Sequence, residues 1–272
     1  MDAKKGRYGV TAPNVMDSIT VEAAFKVADK LKAPMIIDRG GQGEVLEAGA
    51  DFVAFYAKKY PNVVATLNLD HGGPFEAIML AIRCGFNSVM IDRSTLPFEE
   101  NVKEVAEVVK VAHALGVSVE AELGHVGQGV EYEQTRDSGL TNPDEAVEYV
   151  KRTGVDCLAV SIGTSHGVYK GTPYLDFPLL EKLVSLVDIP LVLHGGSGTG
   201  DDNLQKAVEN GIQKVNLATD LVTEGGKYLK DYISKDGVDI RYPACAKVLM
   251  DGYAAKLSHY VELFHAVGKA AK

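Results

Sequence analysis

Residues 189–220 read IPLVLHGGSGTGDDNLQKAVENGIQKVNLATD. After Pro190 comes a short apolar run, Leu191 to Leu193, which ends at His194 and a glycine-rich loop. Asp201 then opens a stretch with helical spacing, and a second β-branched run, Lys214 to Leu217, follows before Ala218, Thr219 and Asp220. Strand, glycine loop, helix and strand in this order make one βα unit and the first strand of the next.

The same alternation recurs outward in both directions. Further strand candidates are Tyr8 to Ala12, Pro34 to Asp38, Val63 to Leu69, Ser88 to Ile91, Ser118 to Leu123 and Cys157 to Ile162. Between them lie helical stretches such as PFEENVKEVAEVVKVAHALG, residues 97–116, which opens with Pro and acids and stops at Gly116. TNPDEAVEYVKRTG, residues 141–154, repeats that pattern. Near-continuous apolar strands covered by helices imply a parallel sheet. Eight βα units in one chain close most naturally into a (β/α)8 TIM barrel, with a doubly wound open sheet as the competitor. One domain over 1–272 is expected, with a C-terminal helical extension from Leu221 to Lys272 that serves subunit contacts or closes the barrel mouth.

Composition narrows the function classes. The 272 residues are 46% hydrophobic and 24% charged, enough to bury a full core. With 28 Lys plus Arg against 37 Asp plus Glu, the formal net charge is -9, and no basic run is present, which argues against nucleic acid as a partner. No window approaches the roughly 18 apolar residues of a membrane span, and Met1 to Tyr8 does not resemble a signal core. A cytoplasmic protein without a membrane partner is expected. Cys84, Cys157 and Cys245 are odd in number and scattered, which fits reduced thiols better than a disulfide framework or a zinc cluster.

In a TIM barrel the chemistry sits where strands end at the C-terminal face. The third strand ends in NLDHGG, with Asp70 and His71; the sixth in SIGTSHGVYKG, with His166; the seventh at His194. Each imidazole alone is more often a satisfied loop or core histidine. Three at one mouth suit a catalytic Zn²⁺ with an open position. HGGSG after the seventh strand and NLATD at the eighth place unobstructed backbone N–H groups beside helix starts at Asp201 and about Leu221, the makings of a phosphate cradle. Lys170 is positioned to add a point charge. In the fifth strand Glu120 and Glu122 share one face, and Glu120 is a candidate for a group behind the metal ligands or an alternative ligand. The loop from Gly124 to Asn142 is long enough for a lid carrying Glu131 and Glu133, or for a plain surface insertion.

These motifs carry a family resemblance. LDHG, VMIDRSTLPFEENV, GVSVEAELG, GVDCLAVSIGTSHGVYKG, IPLVLHGGSG and KVNLATD, spanning roughly Asn62 to Asp220, resemble the class II, metal-dependent fructose-bisphosphate and tagatose-bisphosphate aldolases. The resemblance implies that His71, His166 and His194 are zinc ligands, that Glu120 is the carboxylate near the metal, and that Asp70 exchanges a proton with the aldehyde fragment's oxygen. It also implies contacts to dihydroxyacetone phosphate from Gly167, Gly195, Gly196, Ser197, Asn216, Leu217, Ala218 and Thr219, with Lys170 and Asp220 beside them. The lid base would be Glu131, with Glu133 as the alternative. The implied enzyme is a reversible aldolase acting on a phosphorylated ketose, working as a homodimer or homotetramer.

The chain departs from the family pattern in Asn68, in IIDRGGQGE after the second strand, in Arg93 within IDRST, and in the lid sequence GHVGQGVEYE. Arg39 and Arg93 read either as recognition groups for a sulfonated or carboxylated ketose 1-phosphate or as ion-pair partners of Asp38 and Asp92. A Schiff-base aldolase would need a lysine inside the mouth. Lys214, opening the eighth strand, is expected at the opposite, stability face. A metal-dependent hydrolase or epimerase and a non-catalytic phosphosugar-binding barrel are the remaining competitors.

Overall fold

The computed structural model describes residues 1–131, 137, 139–169 and 173–270. Its strands are β1 (Val10–Pro13), β2 (Met35–Arg39), β3 (Ala65–Gly72), β4 (Ser88–Ile91), β5 (Ser118–Leu123), β6 (Gly127–Gln128), β7 (Cys157–Val160), β8 (Ser165–His166), β9 (Leu191–Leu193) and β10 (Ile212–Leu217). Eight of them close a parallel barrel in the order β1-β10-β9-β7-β5-β4-β3-β2, while β6 and β8 pair as a separate two-stranded ladder above it. The TIM barrel expected from the alternation is therefore present.

Local chemistry sets the helix ends. Asp17 caps helix Ser18–Leu31 through the N–H groups of Ile19 and Thr20, with Thr20 closing a capping box. Asn142 caps Pro143–Thr153, which opens with Pro143, Asp144 and Glu145 and stops at Gly154 in the left-handed region. Outward-facing strand residues such as Ile37, Leu69, Val119 and Leu158 join the helices in one continuous core. Inside the barrel, Met90, Ala159 and Val192 form a small separate apolar cluster. The remaining interior is polar, with Asp38, Asn68, Glu120 and Lys214 all buried.

Several boundaries differ from the sequence expectation. β3 runs on to Gly72 because the register with β4 slips between Leu69 and Gly72, and that bulge supplies an extra residue at the strand end. β10 starts at Ile212, so Lys214 lies within the strand, not at its opening. The following helix starts at Thr219, two residues before the expected Leu221.

The C-terminal extension is helical, Thr219–Ile233 followed by Tyr242–Leu263. The second helix packs on the first and on Ser18–Leu31. From it Tyr253 donates to the Asn14 carbonyl at 2.9 Å, and Tyr260 donates to Asp220. The extension thus buttresses the barrel mouth. No helix among the described residues is long and apolar enough to cross a membrane.

Candidate active site

The β3 bulge decides how the site is built. Strict alternation would send Asp70 and His71 to opposite faces. Instead His71 adopts φ 50°, a conformation rare outside glycine, and both side chains reach the mouth. Gly72 makes room for this turn, since a Cβ there would stand 2.2 Å from the Met90 carbonyl oxygen.

Three imidazoles converge. His71 Nε2 lies 3.1 Å from His166 Nε2 and 3.0 Å from His194 Nδ1, and one nitrogen of each ring lies within 4.8 Å of the others. The outer nitrogens are anchored. His71 Nδ1 meets Asp92 Oδ2 at 2.9 Å, and His194 Nε2 meets Glu120 Oε1 at 2.8 Å. Carboxylates behind imidazoles are what a metal centre needs to orient its ligands. Asp92 and Glu122 form a second candidate group with His71. Glu122 Oε1 accepts from Val126 N at 2.9 Å, whereas its buried Oε2 has no hydrogen-bond partner. Borderline nitrogen donors, oriented carboxylates and an unsatisfied buried oxygen beside them fit a divalent cation.

The electrostatics agree. Burial disfavours charge on His71, but the Asp92 hydrogen bond and the charges of Asp70 and Glu122 outweigh it and raise its pKa to about 9. Burial and the neighbouring His194 and His71 charges lower His166 to about 4. Burial would raise Glu120, yet the Lys214 charge and the His194 hydrogen bond lower it to about 2. Burial likewise opposes charge on Asp70, but His71, His194, Lys214 and Asn14 together leave its pKa below the usual 3.8. Asp70 is therefore an ionised carboxylate, oriented at Oδ1 by Asn216 at 2.9 Å and at Oδ2 by Asn14 at 3.0 Å.

One cavity of about 140 Å³ joins these groups to the glycine loops, lined by Asp70, His166, His194, Gly167, Gly195, Gly196, Ser197 and Asn216 through Thr219, together with Asn14. Gly195 sits at φ 69°, and a Cβ there would stand 2.4 Å from the Ser165 carbonyl oxygen. Ser197 Oγ accepts from Ala218 N at 3.1 Å and Asp220 N at 3.2 Å, and Asp220 Oδ2 accepts from Gly198 N at 3.0 Å. The start of helix Thr219–Ile233 adds its dipole beside this loop.

The profile of the family described as fructose-bisphosphate aldolase class-II matches residues 1–269. The chain belongs to the class II fructose-bisphosphate aldolase family. Among solved structures, the YdjI aldolase from Escherichia coli K12 is 33% identical, with a TM-score of 0.87 over 99% of this chain and 96% of that one. A putative fructose-1,6-biphosphate aldolase from Coccidioides immitis (24% identity, TM-score 0.83, 98% and 95% covered) shares the fold. So does the fructose-bisphosphate aldolase of Campylobacter jejuni (23%, 0.83, 98% and 93%).

In this class II aldolase the structure gathers most of the residues singled out from sequence, but not all. Glu120 stands behind His194 and is not in either candidate ligand group; Glu122 is the glutamate in such a group. Asp220 ties the Gly198 loop to Tyr260 and does not line the cavity. Arg39 and Arg93 do not line it either. Arg39 lies outside the barrel against Gly49 and donates to the Val15 carbonyl at 2.8 Å. Arg93 pairs with Glu104 and the Asp92 carbonyl. The expected pairing with the Asp38 and Asp92 carboxylates is absent from both, because Asp38 faces inward to Asn68 and Asp92 is held by His71 and Ser94.

Glu131 is exposed in the short turn Gly129–Glu131 and is not among the lining residues. Glu133 and Lys170 lie outside the described residues. Lys214 corrects the expectation of a stability-face lysine. It is buried in the barrel with Nζ 2.6 Å from Glu120 Oε2, because β10 begins earlier than its apolar run suggests. Asn14 is not singled out by the sequence, Asp92 only as an ion-pair partner for Arg93, and Glu122 only as sharing the face of Glu120 by the two-residue period.

Proposed function

We propose that this aldolase reversibly cleaves a phosphorylated ketose, releasing dihydroxyacetone phosphate and an aldehyde, with Zn²⁺ as its metal. The observation that carries this reading is one cavity where His166, His194, an ionised Asp70 and the glycine cradle meet, with His71 converging on the same two imidazoles. His71, His166 and His194 would hold the ion, with Asp92 orienting His71 and Glu120 orienting His194. When bound, the ion supplies electrophilic stabilisation for charge that develops on the ketose carbonyl oxygen.

The chain's own groups account for the rest. Gly195, Gly196 and the backbone at Ala218 and Thr219 seat the phosphate, and Ser197 shapes that loop. Asp70, held by Asn14 and Asn216, takes the proton from the C4 hydroxyl as the C3–C4 bond breaks and the electron pair moves toward C2 to give the enediolate. Glu131 or Glu133 of the lid returns a proton to C3. In condensation the same groups act in reverse. Since neither Arg39 nor Arg93 lines the cavity, no described guanidinium favours a sulfonated or carboxylated terminus over a second phosphate.

The enzyme is read as a single domain that acts in the cytoplasm as a homodimer or homotetramer. Exposed Ile233, Ile240 and Tyr242 on the C-terminal extension support the assembly. The test is dihydroxyacetone phosphate release from fructose 1,6-bisphosphate, tagatose 1,6-bisphosphate and ketose 1-phosphates with other termini, with and without chelator. Chelator-sensitive release is expected. No release by the metal-loaded protein from any of them would turn the reading toward a hydrolase, an epimerase or a binding protein.

A further inference from the structure

We propose that Lys214 is a positioning residue that, through Glu120, sets which nitrogen of His194 carries the proton and so keeps His194 Nδ1 available to a metal ion. The inference rests on the reading that the three imidazoles hold a metal.

The geometry is a linear relay. Lys214 Nζ lies 2.6 Å from Glu120 Oε2, Glu120 Oε1 lies 2.8 Å from His194 Nε2, and His194 Nδ1 lies 3.0 Å from His71 Nε2. All three relay side chains are at most 5% exposed, so water does not substitute for any link. A neutral imidazole has one N–H and one lone pair, and the partner of one nitrogen decides the state of the other. His194 faces the other imidazoles with Nδ1, so its ligand function requires the proton on Nε2 and an acceptor opposite.

Glu120 is that acceptor only while its carboxyl group is turned to present a lone pair at Oε1. An ammonium has donors and no acceptor, so Lys214 claims Oε2 and fixes that orientation. It also supplies the counter-charge a buried carboxylate requires. Asp38 holds the ammonium from the other side, its Oδ2 3.7 Å from Nζ and its Oδ1 accepting from Asn68 at 2.8 Å. Three strands, β2, β5 and β10, thereby brace one histidine on β9's end.

A purely structural ion cluster would lower stability when broken but leave the imidazole and the metal alone. The decisive readout is the long-range ¹H–¹⁵N correlation of the histidine rings in the metal-free wild-type protein. His194 is expected with the proton on Nε2; a proton on Nδ1 overturns the proposal. Lys214→Met is then compared by zinc titration against a competing chelator. A roughly 10- to 100-fold weaker zinc affinity is expected, the range seen when groups behind metal ligands are lost, together with mixed tautomer signals for His194. If Lys214→Met does not fold, Asp38→Asn/Lys214→Met, which leaves one buried acid in place of two, carries the same measurement. Wild-type zinc affinity with a single Nε2–H tautomer in either variant overturns the proposal alone. Failure of the wild-type protein to take up zinc overturns the metal reading and this inference with it.

Discussion

Asn216 holds Asp70 from β10, its side-chain amide nitrogen 2.9 Å from Asp70 Oδ1. The two residues are 146 positions apart, and their contact aims the carboxylate into the cavity that also contains the glycine loops. With Oδ2 claimed by Asn14, Asp70 has little freedom to turn away from a substrate hydroxyl.

Replacing Asp70 by Asn preserves size and polarity but removes the ability to take a proton. Cleavage is expected to slow by about 10²- to 10⁴-fold, the usual contribution of a positioned acid or base, with zinc uptake unchanged. Steady-state kinetics beside a zinc titration check this, and a fully active Asp70→Asn enzyme would remove the residue from the mechanism.

Arg39 and Arg93 spend their donors on Val15, Glu104 and the Asp92 carbonyl. Arg39→Met and Arg93→Ala should each leave kcat/KM within about threefold of wild type, less than ~1 kcal/mol of transition-state stabilisation, whatever the terminal group of the ketose. Losses confined to substrates with one kind of terminus would return these residues to recognition.

Gly196 lies where an added Cβ would approach Val215 Cγ1 at 2.7 Å and the Asn216 carbonyl oxygen at 2.8 Å. Gly196→Ala must push the loop away from β10. The expected result is a KM for the phosphorylated ketose raised by about tenfold, or ~1.4 kcal/mol, without loss of zinc. An unchanged KM would show that the phosphate sits elsewhere.

Burial, followed by the charges of Asp70 and Glu120, pushes the Asp38 carboxyl well above its usual 3.8 against the opposing pull of Lys214 and Asn68. Folding then takes up a proton at Asp38, so its stabilising contribution is present below about 3.8 and is lost as pH rises through the higher folded value. Asp38→Asn keeps an acceptor for Asn68 and has no proton to lose. In urea unfolding of the metal-free protein, the variant should gain on wild type as pH rises above about 4. A pH-independent difference would mean that Asp38 is ionised throughout.

Local patterns made the barrel legible. β4, β5 and β9 stand where their apolar runs predict, each run being flanked by glycine, proline or polar residues. The three histidines and Asp70 were legible for a related reason, since strand ends in this fold face one mouth. What the pattern did not reveal depends on contacts between distant strands. Period-two alternation gives no warning of the bulge that turns His71 inward. Arg39 was misplaced because adjacency to Asp38 in sequence puts the two on opposite faces of β2. Lys214 was misplaced because Ile212 and Gln213 belong to β10 despite the polar interruption. Asn14 has no reactive neighbour in sequence, and Asp92 reads there only as a partner for Arg93, so their importance appears only when Asp70 and His71 arrive beside them.

The buried charges inside the barrel also restrict how this chain can diverge. Converting Glu120 or Lys214 alone to an aliphatic residue strands its former partner in a medium that tolerates unpaired charge poorly, at roughly 3–5 kcal/mol for a broken buried pair, and an aliphatic residue at Asp38 would leave the Asn68 amide without its acceptor. Exchanging the whole group for a packed apolar layer carries no such penalty. Descendants of this sequence are therefore expected to keep the trio intact or to replace it as a block, so that the three positions behave as a single inherited character.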